Sequence, residues 1–541
     1  MRTSVNFFPT DMKPLAMPLT AMSTSLASSN HPPCPPPLPS SPPPPPAPDD
    51  SVIENQDLPA LCRQQLLAHP LPGLPEIGRL VTPRTTAEIP GSRIGIGFET
   101  LDRHMFDPER VYPHLEKLGA KWARVQTGWS RCETTPGVYD FAWLDTIVDR
   151  LRAIGVQPFF SVSFGNKLYM PDVPHESAVG YVPLYYGDAT RDAWTSYTRA
   201  LAAHFRGRVA HWEIWNEPNI PQFWHPSKPD ARAYAELVRI TAAAIREQIP
   251  DATIIGGAMS KLEPAYLETA LHAGMADHID VFSFHPYQTV PEQNLQNMHD
   301  LIRRLLDRHS PARRIAIWQG ENGCPSQTAG HNDDWLGLYD MDQIVQAKWI
   351  ARRLLIDLRI GFDLLLYFHA VDLMDRPYRQ AGGKVNRPVM MGLIHGKRYT
   401  PKYSFEVMRR ICSLFDNDTH RRELYTRFAE PDPQHPQHSG LMASPVAATF
   451  TRHGAPLVAY WNAEDAQQKT AAREIDLVLW HDSDLRLEKP VLLDFLTGTI
   501  HDAAARAENF VLDNAVIGRR FRLPLPDYPL LLTDASVLSS E

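Results

Sequence analysis

The chain has 541 residues, 43% of them hydrophobic and 21% charged, and 54 Lys and Arg against 62 Asp and Glu leave it at −8. At about 150 residues per domain this is room for three or four domains, fewer if one is a barrel. So mild an acidic balance speaks against a nucleic-acid or anionic-membrane partner, which needs a basic face, and no run approaches the ~18 apolar residues of a membrane span.

The N-terminal segment is set apart by proline. Fifteen of the 50 prolines lie in the first 50 residues, mostly between Pro32 and Pro48. Proline fixes φ and offers no amide donor, so residues 1–52 read as a disordered Pro-rich tail. Within it Lys13 precedes a short apolar run through Met22 that Pro14 and Pro18 interrupt. An export signal there would be weak, so cytoplasmic placement is favoured over a periplasmic or secreted one. The five cysteines, Cys34, Cys62, Cys132, Cys324 and Cys412, are odd in number and scattered, with no disulfide framework. Residues 53–90 form a pre-barrel segment, either a cap on the barrel floor or a strand of a later sandwich.

From about residue 91 strand-like runs alternate with helical ones. Arg93 to Glu99 opens the series, followed by a helical stretch from Pro108 to Leu118, a strand from Trp122 to Thr127 and a helix from Phe141 to Ile154. That helix carries Leu144, Ile147, Val148 and Leu151 on one face. Strand Gln157 to Ser163, helix 188–206, strand 209–216, helix 231–248, strand Thr253 to Gly257 and helix 264–273 follow. Strand Ile279 to Phe284, helix 296–309, strand Arg314 to Gln319, helix 341–359, strand Phe362 to Ala370 and helix 401–415 complete it. Eight strands each followed by a helix predict an α/β fold, a (β/α)8 TIM barrel over 91–425. After a polar connector at Pro431 to Gly440 the pattern changes to short strands: 446–451, 457–461, 474–479, 491–495, 520–523 and 530–533. Residues 426–541 are therefore expected to form a C-terminal antiparallel β-sandwich domain.

In such a barrel the active site lies at the C-terminal ends of the strands. The fourth strand ends His211-Trp-Glu-Ile-Trp-Asn-Glu-Pro-Asn219 and the seventh runs Ile315-Ala-Ile-Trp-Gln-Gly-Glu-Asn-Gly323. Glu217 and Glu321 thus enter one cleft from opposite sides, and a pair of carboxyls flanking a bond is what glycoside hydrolysis requires. A lone strand-end glutamate is ordinarily a buried partner for arginine, the role expected of Glu213 with Arg124. Glu263 and Asp372 also fall near strand ends. His285 and Tyr287 close the sixth strand, and a tyrosine hydroxyl beside Glu321 would hold that carboxylate ionised, leaving Glu217 to carry the proton.

The barrel together with Trp212-Glu-Ile-Trp-Asn-Glu-Pro-Asn219, His285-Pro-Tyr287 and the glutamate ending the seventh strand resembles the clan A retaining glycoside hydrolases. It is most similar to family 39, the β-xylosidase and α-L-iduronidase family. The seventh strand departs from the commoner Thr-Glu-Trp, reading Trp-Gln-Gly-Glu-Asn-Gly. The resemblance implies Glu217 as acid/base, Glu321 as nucleophile and Asn216 as hydrogen-bond donor to the sugar 2-hydroxyl.

Sugars present C–H faces and hydroxyls, so aromatic plates and a few polar groups are sought around the pair. His285, Tyr287, Arg124, Trp129 and Trp318 are the substrate-binding candidates, with Gln126, Tyr169, Trp224, Phe368, His369 and Asp372 more loosely placed. Lys167 and Lys261 are the only nearby cations, which points to a neutral sugar. No histidine pair has zinc spacing, and hydrolysis by two carboxyls needs no metal or other cofactor. The expected partner is an oligosaccharide or polysaccharide; oligomeric state is not readable. The reading is a retaining, β-xylosidase-like glycosidase, with an endo-acting glycanase of an exopolysaccharide and a catalytically inactive carbohydrate-binding barrel as alternatives. Loops 164–187 and 324–340 would decide between a pocket and a groove.

Overall fold

A computed structural model of the chain describes residues 73–538 apart from 81–82, 176–177, 327–340, 375–388, 431–444, 465 and 467–471. The Pro-rich tail, the signal-like run, Cys34, Cys62, most of the loop from 324 to 340 and the connector at 431–440 lie outside the described residues.

Eight parallel strands close into a barrel: β2 (Ile94–Gly97), β3 (Trp122–Gln126), β4 (Gln157–Val162), β5 (His211–Ile214), β6 (Thr253–Ser260), β7 (Val281–His285), β8 (Ala316–Asn322) and β9 (Leu364–Tyr367). β9 pairs back onto β2, so no edge is left open. An earlier strand, β1, spans Glu76–Arg79. The surrounding helices are α1 (Tyr112–Leu118), α2 (Ala142–Ala153), α3 (Asp188–Phe205), α4 (Ala231–Gln248), α5 (Pro264–His272), α6 (Leu295–His309), α7 (Gln343–Ile360) and α8 (Tyr403–Leu414). Local chemistry fixes several ends. Asp230 accepts from the Arg232 and Ala233 amides to start α4, and Asp342 does the same for Ile344 and Val345 at α7. α4 buries Tyr234, Leu237, Val238, Thr241, Ala242 and Ile245, the stripe expected of a helix lying on a sheet. Every residue of α7 except Arg359 is buried, because this helix lies between the barrel wall and the C-terminal domain. Its charges are accordingly paired: Lys348 with Asp527 at 2.7 Å, Arg352 with Glu292 at 2.7 Å and Arg353 with Asp357 at 2.8 Å.

The C-terminal domain is two antiparallel sheets. In one, β1 and β10 (Thr419–Arg421) are the outer strands around β12 (Pro445–Arg452), β13 (Ala455–Asn462), β15 (Pro490–Asp494), β16 (Thr499–Asp502) and β19 (Leu530–Asp534). The other comprises β11 (Thr426–Ala429), β14 (Arg473–Trp480), β17 (Ala507–Leu512) and β18 (Ala515–Leu525). The boundary expected at 425/426 falls too late: Thr419–Arg421 already pairs with β12. The pre-barrel segment takes two places. β1 pairs with β16 in the sandwich, while Thr86 lies under the barrel, donating to Leu115 O and accepting from the Gly119 amide at the end of α1. No helix among the described residues is long and apolar enough to cross a membrane.

Two barrel strands are irregular, and both irregularities matter for the site. β6 runs to Ser260 rather than ending near Gly257, with a bulge between Gly256 and Met259. β8 has a bulge between Gln319 and Asn322. An extra residue in one strand shifts the in/out alternation beyond it and re-aims a side chain.

Candidate active site

A cavity of about 1000 Å³ opens at the C-terminal ends of the barrel strands, and both Glu217 and Glu321 line it. Glu217 sits just past the end of β5 in a left-handed backbone conformation, φ 45°, uncommon for a residue with a side chain. Its amide donates to Ala258 O at 2.8 Å, a carbonyl supplied by the bulge of β6. Asn219 clasps the same strand, accepting from the Ser260 amide and donating to Ser260 O, each at 2.8 Å. Glu321 instead lies inside β8. Trp318 and Gly320 face the barrel interior and Gln319 faces α7, so simple alternation would turn Glu321 outward; the bulge turns it in. One carboxylate oxygen of Glu217, one of Glu321 and a ring nitrogen of His285 lie within 4.8 Å of one another.

The two carboxyls have different company. Glu321 accepts from Tyr287 Oη at 2.8 Å and from Arg124 Nη1 at 2.5 Å. Burial alone would raise its pKa, but His285, Arg124 and the Tyr287 hydroxyl outweigh it and hold the carboxyl below the usual carboxylate value. Glu217 meets His285 Nδ1 at 3.0 Å and has no arginine among its described partners. Burial would lower the His285 pKa, but Glu321 and Glu217 together raise it, which favours the imidazolium.

Arg124 organises the floor beneath the pair. Wholly buried, it donates through Nε to Glu213 Oε2 at 2.6 Å, through Nη1 to Glu99 Oε1 at 3.0 Å as well as to Glu321, and through Nη2 to Asn216 Oδ1 at 2.8 Å. With its oxygen held by Arg124, the Asn216 amide is left with its NH2 group for the cavity, whose wall it helps to form. Glu213 is thus the arginine partner anticipated for it.

The remaining candidates divide. Tyr287, Asn216, Gln126, Lys261, Glu263 and Phe368 line the cavity. Arg124 and His285 do not reach it: both are fully buried and act on Glu321, Asn216 and Glu217 rather than on a ligand. Trp129, expected as a sugar plate, is core. Its indole stacks between Tyr169 and Tyr197 and donates to Glu133 at 2.5 Å. Trp318 is also corrected. It packs at the opposite end of the barrel with Phe159, Ile255, Val281, Leu364 and Leu366, because a residue three positions before Glu321 on an inward-facing strand lies one layer deeper. Trp224 is fully buried, bonded to Tyr185. His369 is buried against the Glu99 and Val371 carbonyls, and Asp372 is buried with Lys402 at 2.5 Å. Lys167 is not part of the wall. The aromatic side chains that do line the cavity besides Tyr287 and Phe368 are Tyr181 and Phe223, which lie in loops after β4 and β5 that carry no periodic signal. Arg103 and Glu99 were also missed. Arg103 is held by Asp102 at 3.3 Å and by Gln126.

Glu217, His285 and Glu321 are ligand types that a divalent cation accepts. Here each is already engaged by the others, and the Arg124 guanidinium beside Glu321 supplies the compensating positive charge.

Comparison with known proteins agrees with this construction. Residues 124–303 match the model of the glycosyl hydrolases family 39. The matched segment begins on β3 and ends in α6, so the similarity to that family lies in the barrel. Among curated relatives, a β-xylosidase of Geobacillus stearothermophilus is 28% identical over 164 residues, covering 28% of this chain and 31% of that protein. A β-xylosidase of Caldicellulosiruptor saccharolyticus is 28% identical over 196 residues, 32% of this chain and 38% of that one. The aligned segments thus span about a third of the length of these relatives. Among solved structures, a family 39 glycoside hydrolase from Bacteroides cellulosilyticus WH2 superposes with a TM-score of 0.58 at 18% identity, over 81% of this chain and 80% of that one. This likeness is one of fold, and it extends beyond the segment that the family model matches.

Proposed function

We propose that the chain is a retaining O-glycosidase, β-xylosidase-like and acting on neutral sugars, which cleaves by double displacement. The reading rests chiefly on one observation: oxygens of Glu217 and Glu321 approach within 4.8 Å across the cavity. Retaining enzymes keep their carboxyl groups about 5–5.5 Å apart and inverting ones about 6.5–9.5 Å, the larger gap holding a water. In this reading Glu321, kept ionised by Arg124 and Tyr287, attacks the anomeric carbon and forms the glycosyl-enzyme. Glu217 donates a proton to the departing oxygen, then removes one from the incoming water. Asn216 offers its NH2 to the hydroxyl next to the anomeric carbon, where the bond strengthens as charge develops.

The β-xylosidase relatives support xylose as the first sugar to try. The test is hydrolysis of 4-nitrophenyl β-D-xyloside followed by proton NMR. The β-anomer of xylose should be the first product. An α-anomer appearing first would replace double displacement with inversion, and no turnover of any aryl glycoside would favour a carbohydrate-binding barrel.

A further inference from the structure

A third carboxyl faces the same cavity and has no place in the double displacement. Glu99 follows β2 and lines the cavity wall with Glu321 and Gln126, yet is 1% exposed. Its Oε1 is held by Arg124 Nη1 at 3.0 Å, the nitrogen that also holds Glu321. Its Oε2 is buried with no hydrogen-bond partner; the nearest polar side chain is His369, with Nε2 at 3.4 Å and that ring turned to backbone carbonyls. A buried carboxyl oxygen without a partner is destabilising, a penalty that a bound hydroxyl would remove.

Resting on the glycosidase reading, we propose that Glu99 is a substrate-contacting residue whose Oε2 pairs with one ring hydroxyl of the sugar seated over Glu321, so that it selects glycosides carrying that hydroxyl. The strand order supports the placement. β2 is separated from β8 only by β9, whereas β5, which carries Glu217, lies three strands away. Glu99 therefore flanks the glycone held at Glu321 rather than the leaving group at Glu217. Asn216 already serves the hydroxyl next to the anomeric carbon, which leaves Glu99 a hydroxyl farther round the ring.

The charges around Glu99 allow it to donate. It faces Arg124 from β3, Glu321 from β8, His369 after β9 and Arg103 across the cavity wall. Burial raises its pKa to about 7, with Arg124 opposing and Glu321 adding to the rise. One guanidinium shared among Glu99, Glu213 and Glu321 cannot neutralise all three, and the partnerless Oε2 of Glu99 can hold the proton. At and below neutral pH the group then acts as a carboxylic acid, donating to the sugar without adding a second negative charge beside Glu321.

The experiment compares wild type, Glu99→Gln and Glu99→Ala on 4-nitrophenyl β-D-xyloside and its 2-, 3- and 4-deoxy analogues. Glu99→Ala should lower kcat/KM on the parent roughly 10–100-fold, as expected for a lost hydrogen bond in a dry site. On the 3-deoxy or the 4-deoxy analogue, and only one of them, the loss should shrink to under about 3-fold. Glu99→Gln keeps the volume and a donor and should retain most of the parent activity. Equal losses on all four substrates would make Glu99 a structural support for Arg124 and overturn the proposal, as would a loss that disappears only with the 2-deoxy compound. If the wild type cleaves no glycoside, the glycosidase reading falls on its own. The Glu99 proposal is then decided by calorimetric binding of a xylose-configured iminosugar, and an unchanged Kd in Glu99→Ala overturns it.

Discussion

Glu217 and Glu321 face each other across one cleft but are seated by different means. Glu217 rides on a turn: Trp215 at φ 71° and Glu217 at φ 45° are both left-handed, and the Ala258 carbonyl and the Asn219 side chain hold the turn to β6. Glu321 is part of the barrel wall. A bulge aims it inward, and the strand behind it is braced by Gln319, which bonds Asp357 at 2.8 Å and Arg353 at 2.9 Å on α7. The difference suits their proposed tasks. A nucleophile must stay put and ionised through both steps, and Arg124, Tyr287 and a braced strand provide that. A proton shuttle must change its protonation state twice; Glu217 has a histidine beside it rather than an arginine.

Removing each carboxyl is the sharpest way to break this comparison. Glu321→Ala should lose about 10⁴-fold or more in kcat on every glycoside, since no covalent intermediate can form. The outcome to watch is the azide product. Azide could act only by direct attack, giving the α-xylosyl azide from a β-xyloside. Glu217→Ala should be milder and selective: about 10²–10⁴-fold for alkyl or sugar leaving groups, and far less in the first step for dinitrophenolate, which departs without a proton. Azide should then restore turnover and give the β-azide. An inverted azide from Glu217→Ala would exchange the two assignments.

The sequence made one seat legible and hid the other. Trp-Asn-Glu-Pro-Asn breaks the strand pattern with turn-forming residues, so the exit of Glu217 from β5 could be read directly. The bulge in β8 leaves no such mark: Trp-Gln-Gly-Glu-Asn reads as an ordinary alternating run, and only the pairing with β9 reveals the extra residue. The eight-fold βα alternation was legible because hydrophobic strands and one-faced helices follow directly from burial. The sandwich was only half legible. β12, β13, β14, β15, β18 and β19 carry apolar runs that read as strands, while β16 and β17 are short or mostly exposed and β1, β10 and β11 depend on partners distant in sequence. The same reason hid Glu99. It follows Gly97-Phe98 as an unremarkable polar residue, and its meaning comes from Arg124, 25 positions away, and from Glu321, far later in the chain on another strand.

A smaller perturbation tests the turn without touching a carboxyl. Asn219→Ala removes two hydrogen bonds to Ser260 and lets the Glu217 turn drift from β6. Misplacement on the scale of 1 Å can cost about 10²-fold, so kcat on an alkyl xyloside should fall by up to that factor. Dinitrophenyl xyloside, which needs the acid least, should suffer clearly less. Equal losses on both substrates would mean that the clasp supports the whole cleft rather than the Glu217 seat.

The smallest effect is expected where the chain first suggested a sugar plate. Trp318 lies on the same strand as Glu321, but its ring is locked among Trp122, Phe159 and His211, with centroids 5.5–5.6 Å away, and it is 6% exposed. If Trp318 belongs to the barrel floor, Trp318→Phe removes packed surface and nothing that a substrate touches. Stability should drop by about 1–2 kcal/mol, the ordinary range for shaving a core side chain, and thermal unfolding would register it as a lower Tm. KM and kcat for xylosides at a temperature well below that Tm should stay within about 2-fold of wild type, because the Glu321 seat depends on Gln319, Arg353 and the bulge rather than on the ring beneath. A KM raised tenfold with Tm unchanged would put Trp318 against the sugar after all, and would mean that the two ends of the barrel interior are less separate than their charged and apolar layers indicate.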